Sequence, residues 1–211
     1  MQYALLGFYK SGEDIRLIKQ AANDRKMLLQ PVEAYTILSM ARMQSQLEGD
    51  MAEVGVFQGA SAKLICSVKG ERKFWGFDTF AGLQDVSEED THWGVSFFKT
   101  GQYQSSQAKV EKYLAEFDQV ELVAGYFPES VESISGIDFE ERRFSFVHLD
   151  VDTHDSTLTS LRYFWPRMVP GGIILSHDAH AEGVAKAAKA FIEESTARSF
   201  ATTGSQIAFV K

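Results

Sequence analysis

Apolar residues along this chain recur in two alternating patterns, which together predict an α/β fold. Short apolar runs with the length of buried strands occur at residues 51–57, 73–78, 120–124, 144–150 and 172–176. Segments with helical spacing separate these runs and begin near residues 59, 106, 128, 155 and 182. Strands that alternate with helices in this way favour right-handed crossovers and a parallel sheet covered by helices on both faces.

The N-terminal part of the chain precedes this alternation. Residues 11–29 place apolar side chains at near-helical spacing, and Pro31 suits the first turn of a second helix reaching about residue 47. With 211 residues, the chain is long enough for one substantial core and short for two. We therefore expect a single domain over residues 1–211, with a helical segment at about residues 1–48.

The C-terminal end carries two strand-like runs, at residues 198–203 and 206–211, on either side of Gly204 and Ser205. A glycine-bearing turn between two such runs is typical of an antiparallel hairpin. We expect this hairpin to lie on the edge of the sheet.

One long stretch without a regular pattern, residues 79–105, interrupts the alternation. A loop of this length in a compact domain is usually functional or mobile. It carries five aromatic residues: Phe80, Trp93, Phe97, Phe98 and Tyr103. Two interpretations remain open, a lid over a bound acceptor and a satellite hydrophobic cluster.

The composition and net charge of the chain indicate which class of molecule it binds. The chain is 45% hydrophobic and 24% charged, with a formal net charge of -8 and no basic cluster, which disfavours binding to nucleic acid or to an anionic membrane. A small molecule is the expected partner. The single cysteine, Cys66, excludes a disulfide framework, and neither a secretion leader nor an 18-residue apolar segment is evident. These features predict a cytoplasmic protein.

A nucleoside site is indicated by the first strand and its turn. Gly55 and Gly59 follow a predicted strand, and glycine in such a turn lets a ligand approach the backbone closely. Asp78 ends the next strand, where a carboxylate accepts both hydroxyls of a ribose. The Gly-x-x-x-Gly spacing departs from the dinucleotide fingerprint, which argues against NAD.

A second group of candidate residues ends the two later strands. Asp150, Asp152, His177 and Asp178 stand where an open parallel sheet gathers its ligands. Carboxylate and imidazole groups at this position could together hold a divalent cation. The chain therefore combines a predicted nucleoside half with a predicted metal half.

Several motifs, taken in order, resemble one family. The runs EVGVFQGASAKL, FWGFDTFAGL, FVHLDVDTHDSTL, VPGGIILSHD and EGVAKAAKAF resemble the macrocin O-methyltransferase family of class I enzymes that depend on S-adenosylmethionine. The resemblance covers roughly residues 31–211. It implies the Rossmann-like methyltransferase sheet of about seven strands, mostly parallel, with an antiparallel C-terminal hairpin and helices on both faces.

The resemblance also implies roles for individual residues. The methionine part of the cofactor would lie near Glu53, Gly55 and Ser61, and Asp78 would hold the ribose. The adenine would lie near the turn Gly125-Tyr126-Phe127.

For the metal, the resemblance makes Asp150 and Asp178 ligands and Asp152 the general base. His177 stands where the family usually has the first aspartate of a pair. Magnesium prefers hard oxygen donors, so a histidine here tilts the expected site toward manganese or another transition metal. His154 and His180 flank the same strand ends and are alternative candidates for the base.

The sequence thus predicts a metal-assisted O-methyltransferase that acts on a hydroxyl of a small acceptor, such as a sugar or natural product. A homodimer or higher homo-oligomer is a further expectation. Two alternatives are a non-catalytic scaffold that binds S-adenosylmethionine and a nicotinamide-dependent dehydrogenase, which shares the fold class.

Overall fold

The computed structural model describes residues 2–84, 86–92, 95–96 and 98–211. The helices in this part of the chain are α1 (Gln2–Tyr9), α2 (Gly12–Asp24), α3 (Pro31–Gln44), α4 (Ala60–Cys66), α5 (Gln107–Leu114), α6 (His154–Phe164) and α7 (Glu182–Glu194). Short 3-10 helices occur at Glu88–Asp90, Glu129–Ser133 and Trp165–Arg167. None of the described helices has the length and apolar character needed to cross a membrane.

The strands are β1 (Asp50–Val54), β2 (Phe74–Asp78), β3 (Thr91–His92), β4 (Val95–Ser96), β5 (Val120–Ala124), β6 (Phe144–Leu149), β7 (Met168–Ser176), β8 (Arg198–Ala201) and β9 (Ile207–Val210). Seven of them form one sheet in the order β5-β2-β1-β6-β7-β9-β8, while β3 and β4 pair separately. The first five strands of this order are parallel, and β9 runs antiparallel to β7 and β8. The predicted mixed sheet and edge hairpin are confirmed.

The register of the central strands places their carboxyl ends side by side. Val54 lies opposite Leu149, and Leu149 lies opposite Ser176. The residues that follow β1, β6 and β7 therefore emerge at the same edge of the sheet, which is where parallel sheets bind ligands.

Both faces of the sheet are covered by apolar layers. Met51 packs with Ile37 and Leu64 of helices α3 and α4, whereas its neighbour Ala52 belongs to the opposite layer with Phe164 and Phe191 of α6 and α7. Because successive strand residues face opposite sides, burial on both faces requires the continuous apolar runs seen in the sequence.

Several observed elements differ from the prediction: for example, α2 ends at Asp24 and not near residue 29, and β3 and β4 pair within the stretch predicted to be irregular. Helix α1 has no buried residue, so it lacks the apolar stripe on which a sequence-based assignment depends. The helix predicted near residue 128 is a five-residue 3-10 segment, Glu129–Ser133. Strand β7 begins at Met168 because Met168 pairs with Phe144 of β6, so the strand includes a proline and two glycines.

Aromatic residues of the loop at residues 79–105 have different environments. Phe80 is buried in the apolar layer that includes residues of α3 and α4, as expected if the aromatic residues of the loop form a hydrophobic cluster. Phe98 and Tyr103 instead line the cavity described below. Trp93 and Phe97 lie outside the described residues, so the lid remains a prediction.

The described parts of this loop are anchored to the domain. The amide nitrogen of Leu83 donates to the carbonyl of Gln102 at 2.8 Å, which joins the two arms of the loop. Asp90 is buried, and its Oδ1 accepts a hydrogen bond from the backbone amide of His154 at 2.7 Å. The carboxylate therefore satisfies a free amide at the start of α6 and fixes the loop against that helix.

Candidate active site

The carboxyl ends of β1, β2, β5, β6 and β7 surround a cavity of about 450 Å³. Six residues of the predicted nucleoside half line it: Gly55, Ser61, Asp78, Gly125, Tyr126 and Phe127. The four residues of the predicted metal half line the same cavity: Asp150, Asp152, His177 and Asp178. The fold thus brings the two halves together around one space.

Gly55 allows the ends of β1 and β6 to approach closely. Its φ is +90°, and a Cβ atom at this position would lie 1.9 Å from the carbonyl oxygen of Asp150. No other residue type fits so near a backbone atom. The glycine therefore sets the position of Asp150 as well as the path of the turn.

The substitution Gly55→Ala should lower the free energy of unfolding by about 3 kcal/mol or more, because steric overlap adds to the cost of a positive φ. Gly70→Ala is a matched control, since Gly70 also has a positive φ but has no atom within 4 Å of an added Cβ. Urea titration of the two variants measures the difference. Equal stabilities would show that the close approach to Asp150 is not required.

Asp78 is held in place by the backbone on both sides. Its Oδ2 accepts a hydrogen bond from the amide of Phe57, and its Oδ1 accepts one from the amide of Phe80, each at 2.6 Å. Burial raises the pKa of Asp78 more than these backbone hydrogen bonds lower it. A carboxylate accepts up to about four hydrogen bonds, and Asp78 lines the cavity, so the oriented group can still accept a hydroxyl there.

Two residues of the predicted cofactor set do not line the cavity. Glu53 is fully buried beneath the turn, where its Oε1 lies 2.7 Å from Nδ1 of His148. Burial raises the pKa of Glu53 more than hydrogen bonds with His148 and Ser61 lower it. Gly59 begins α4 with a positive φ, and an added Cβ there would face Val110 of α5. Their contact with a cofactor stays a prediction.

Part of the cavity wall was not predicted from the sequence. Residues 26–29, between α2 and α3, line the cavity, and Leu28 there is 52% exposed. An apolar run in a connection between two helices was the available signal. Tyr103 also lines the cavity, where its ring lies edge-on to Phe57 with centroids 5.8 Å apart.

The carboxylates of the second half stand on two tight turns. Asp152 and Asp178 have φ values of +63° and +55°. Residues other than glycine adopt this region at a cost, although aspartate tolerates it better than most, and such residues cluster at functional sites. The turns bring the carboxylates after β6 and β7 to the same side of the cavity.

His177 lies at the centre of this group. Its Nδ1 is 3.0 Å from Oδ1 of Asp150 and 3.1 Å from Oδ2 of Asp178. Its Nε2 is 3.3 Å from Oε2 of Glu33 and 3.2 Å from Oγ of Ser205. One donor atom each of Asp150, His177 and Asp178 lies within 4.8 Å of the others, as a shared cation requires.

The two alternative base candidates differ in position. His180 lines the cavity, and its Nδ1 lies 3.7 Å from Oδ1 of Asp178. His154 does not line it, and its Nδ1 lies 2.6 Å from Oδ1 of Asp155. Of the two, only His180 is placed to contact an acceptor.

Known proteins resemble this chain in sequence and in fold. The sequence model of the macrocin O-methyltransferase (TylF) family matches residues 25–201. The chain belongs to the macrocin O-methyltransferase family. Both the resemblance seen in the sequence and the Rossmann-like fold are thereby confirmed.

Relatives of this family member include the 8-demethyl-8-(2,3-dimethoxy-alpha-L-rhamnosyl)-tetracenomycin-C 4'-O-methyltransferase of Streptomyces olivaceus, with 25% identity over 174 residues. The match spans 70% of this chain and 64% of that relative, so the chain covers less than two thirds of its length.

Two solved structures share the fold. The calicheamicin methyltransferase CalS11 has a TM-score of 0.69 and 18% identity, over 96% of this chain and 94% of its own. An O-methyltransferase from Bacillus cereus, solved in complex with SAH, has a TM-score of 0.63 and 15% identity, over 100% and 96% of the two chains.

Electrostatics at the histidine of this family member follow from its neighbours. Burial alone would lower the pKa of His177, but the charge of Asp150 and hydrogen bonds with Asp150, Asp178 and Glu33 outweigh it and raise the pKa far above the ordinary value. Burial alone would raise the pKa of Glu33, but its hydrogen bonds with His177 and Ser205 and with backbone amides lower it to about 2. The imidazole thus faces carboxylates on both edges.

The distances fit a bound cation. Nδ1 of His177 lies 3.0 and 3.1 Å from the two aspartate oxygens, so a divalent cation held by these three residues would replace the proton that Nδ1 shares with the carboxylates. Nitrogen with oxygen donors suits manganese and related transition metals better than magnesium. The donor set present in the chain therefore fits a divalent metal.

Proposed function

We propose that this protein transfers a methyl group from S-adenosylmethionine to a hydroxyl of a sugar or glycosylated natural product, with the help of a divalent metal. One observation carries the proposal: Asp78 and the Asp150, His177 and Asp178 group line the same cavity. Family membership and the sugar named in the tetracenomycin relative support the choice of acceptor.

Cofactor binding falls to the turns after β1, β2 and β5. Asp78 accepts the ribose hydroxyls, and the methionine part lies beside Gly55 and Ser61. Gly125, Tyr126 and Phe127 form the wall for the adenine. A sulfonium methyl is already activated, so the main task of these residues is to hold the donor in line with the acceptor oxygen.

Acceptor activation falls to the turns after β6 and β7. Asp150, His177 and Asp178 would hold the metal, which when bound supplies a Lewis acid for the acceptor hydroxyl. Asp152 takes the proton as general base. Burial and the charges of Asp150 and Asp178 raise the pKa of Asp152 well above the ordinary value, and a raised pKa makes the carboxylate a stronger base.

A methyl-transfer screen tests the proposal. Release of S-adenosylhomocysteine is measured with sugars, nucleotide sugars, glycosylated metabolites and simple phenols, with Mn²⁺ or Mg²⁺ present. We expect turnover with one or more of the sugar-bearing acceptors and none with the phenols. Cofactor binding without turnover on any acceptor would favour the non-catalytic scaffold.

The nicotinamide alternative is tested in the same protein by calorimetry. The spacing of Gly55 and Gly59 and membership in a methyltransferase family both count against it. Binding of NAD in place of S-adenosylmethionine would reverse this conclusion.

A further inference from the structure

The carboxylate of Glu33, which lies outside the predicted site, faces Nε2 of His177. Glu33 belongs to the first turn of α3, is 1% exposed, and is not part of the cavity wall. It lies 144 positions before His177 in the chain. The contact therefore depends on the tertiary fold, and no sequence motif predicts it.

Three donors fix the Glu33 carboxylate. Its Oε1 accepts hydrogen bonds from the amide of Ser205 at 2.8 Å and from the hydroxyl of Ser205 at 2.7 Å. Its Oε2 accepts one from the amide of Gln30 at 2.7 Å. A carboxylate held in this way cannot rotate freely, so the side of Oε2 that remains available points at a constant position, toward His177.

The fixed carboxylate faces the Nε2 edge of the imidazole. Nε2 of His177 faces Oε2 of Glu33 at 3.3 Å. It also faces Oγ of Ser205, whose own hydrogen is given to Glu33. Both neighbours of Nε2 are acceptors, so Nε2 bears a hydrogen. The opposite nitrogen, Nδ1, is left to face Asp150 and Asp178.

The turn of the C-terminal hairpin places Ser205 against Glu33. Gly204 has a φ of +112°, and an added Cβ would lie 2.7 Å from Cγ of Glu33. Glycine at this turn thus lets Ser205 reach the carboxylate. Helix α3 and the β8–β9 turn, from opposite ends of the chain, meet on the same histidine.

We infer that Glu33, supported by Ser205, is a positioning residue that fixes the His177 ring with Nδ1 directed at Asp150 and Asp178, so that a histidine can serve as cation ligand there. This inference rests on the metal site of the proposed function. Carboxylates that orient a ligating histidine in this way typically change metal affinity about 10–100-fold when they are removed.

Titration calorimetry with Mn²⁺ alone tests the inference on the wild type, Glu33→Gln, His177→Asp and the double variant. Glu33→Gln should weaken Mn²⁺ binding about 10–100-fold. In the His177→Asp background the same change should alter affinity by less than about 3-fold, because the residue on which Glu33 acts is gone. An equal loss in both backgrounds, or no loss in the first, would overturn the inference.

Two further variants separate positioning from folding. Ser205→Ala keeps Glu33 and removes only the hydroxyl, so it should weaken Mn²⁺ binding less than Glu33→Gln does. Asp14→Asn removes a buried carboxylate that pairs with Arg42 of the same helix α3, and should leave Mn²⁺ affinity unchanged. S-adenosylhomocysteine binding confirms that each variant is folded. Weakened Mn²⁺ binding in Asp14→Asn would indicate a general effect of α3 and contradict the inference.

A readout without metal keeps the inference apart from the proposed function. In the metal-free protein, the Nε2 hydrogen of His177 should exchange slowly with solvent in nitrogen-15 NMR spectra, and Glu33→Gln should accelerate the exchange. If the wild type binds no Mn²⁺, the metal part of the proposed function fails and this signal still decides the role of Glu33. Exchange at the same rate in both proteins would overturn that role.

Discussion

Chelation of divalent metals, or the substitution Asp150→Asn, is expected to reduce methyl transfer about a thousand-fold and to leave cofactor affinity within a few-fold. A metal that stabilises an oxyanion supplies several kcal/mol, and about 4 kcal/mol corresponds to a thousand-fold change in rate. The residues expected to hold the ribose and the adenine follow β2 and β5, which β1 separates from β6 and β7 in the sheet. Turnover and S-adenosylhomocysteine calorimetry on the same samples measure the two effects.

Asp155→Asn is the control for this experiment, because Asp155 is 66% exposed on α6 and does not line the cavity. Its activity should match that of the wild type. Among metals returned after chelation, Mn²⁺, Co²⁺ or Fe²⁺ should restore more activity than Mg²⁺, and His177→Asp should shift the preference toward Mg²⁺. If chelation changes neither activity nor melting temperature, the metal assignment is wrong and Asp152 or His180 must act without it.

Asp78→Ala is expected to weaken S-adenosylmethionine binding by about 1.5–3 kcal/mol, which is roughly 10–150-fold, because hydrogen bonds to a charged group are lost. The side chain also holds the amides of Phe57 and Phe80, two residues with positive φ. Its removal therefore loosens both turns as well as the ribose contact. Calorimetry with the cofactor measures the affinity, and urea unfolding measures the loss of stability.

Asp50→Asn is the matched control. Asp50 stands at the opposite end of β1, where it pairs with Arg142 and accepts a hydrogen bond from Trp75. Its loss should lower stability without changing cofactor affinity. Wild-type affinity in Asp78→Ala would remove Asp78 from the ribose site and leave its role as a support for the two turns.

The strands at the centre of the sheet were predictable because their side chains are buried on both faces. Runs such as Phe74–Asp78 and Phe144–Leu149 show no regular alternation of polar and apolar residues, which is typical of strands buried on both faces. The glycine and aspartate that end such strands are also recognisable in the sequence. Gly55 and Asp78 could thus be assigned to one edge of the sheet from local pattern alone.

Other features required the tertiary structure. Helix α1 buries no residue, so its sequence lacks the apolar stripe that would predict a helix. The burial of Glu53 against His148 depends on the register between β1 and β6, which local sequence does not specify. Glu33 contacts His177 only because α3 and the C-terminal hairpin pack on the same end of β7.

The contact between Glu33 and His177 also has an evolutionary consequence. An aspartate at position 177 is too short to reach Glu33, so a lone change from histidine would strand a buried carboxylate without one of its donors, while a lone loss of Glu33 would free the imidazole to rotate. Either change alone is therefore expected to disturb the site until the other follows. Among related sequences, we therefore expect the identities at positions 33 and 177 to covary, with glutamate accompanying histidine and disappearing where the aspartate pair is intact.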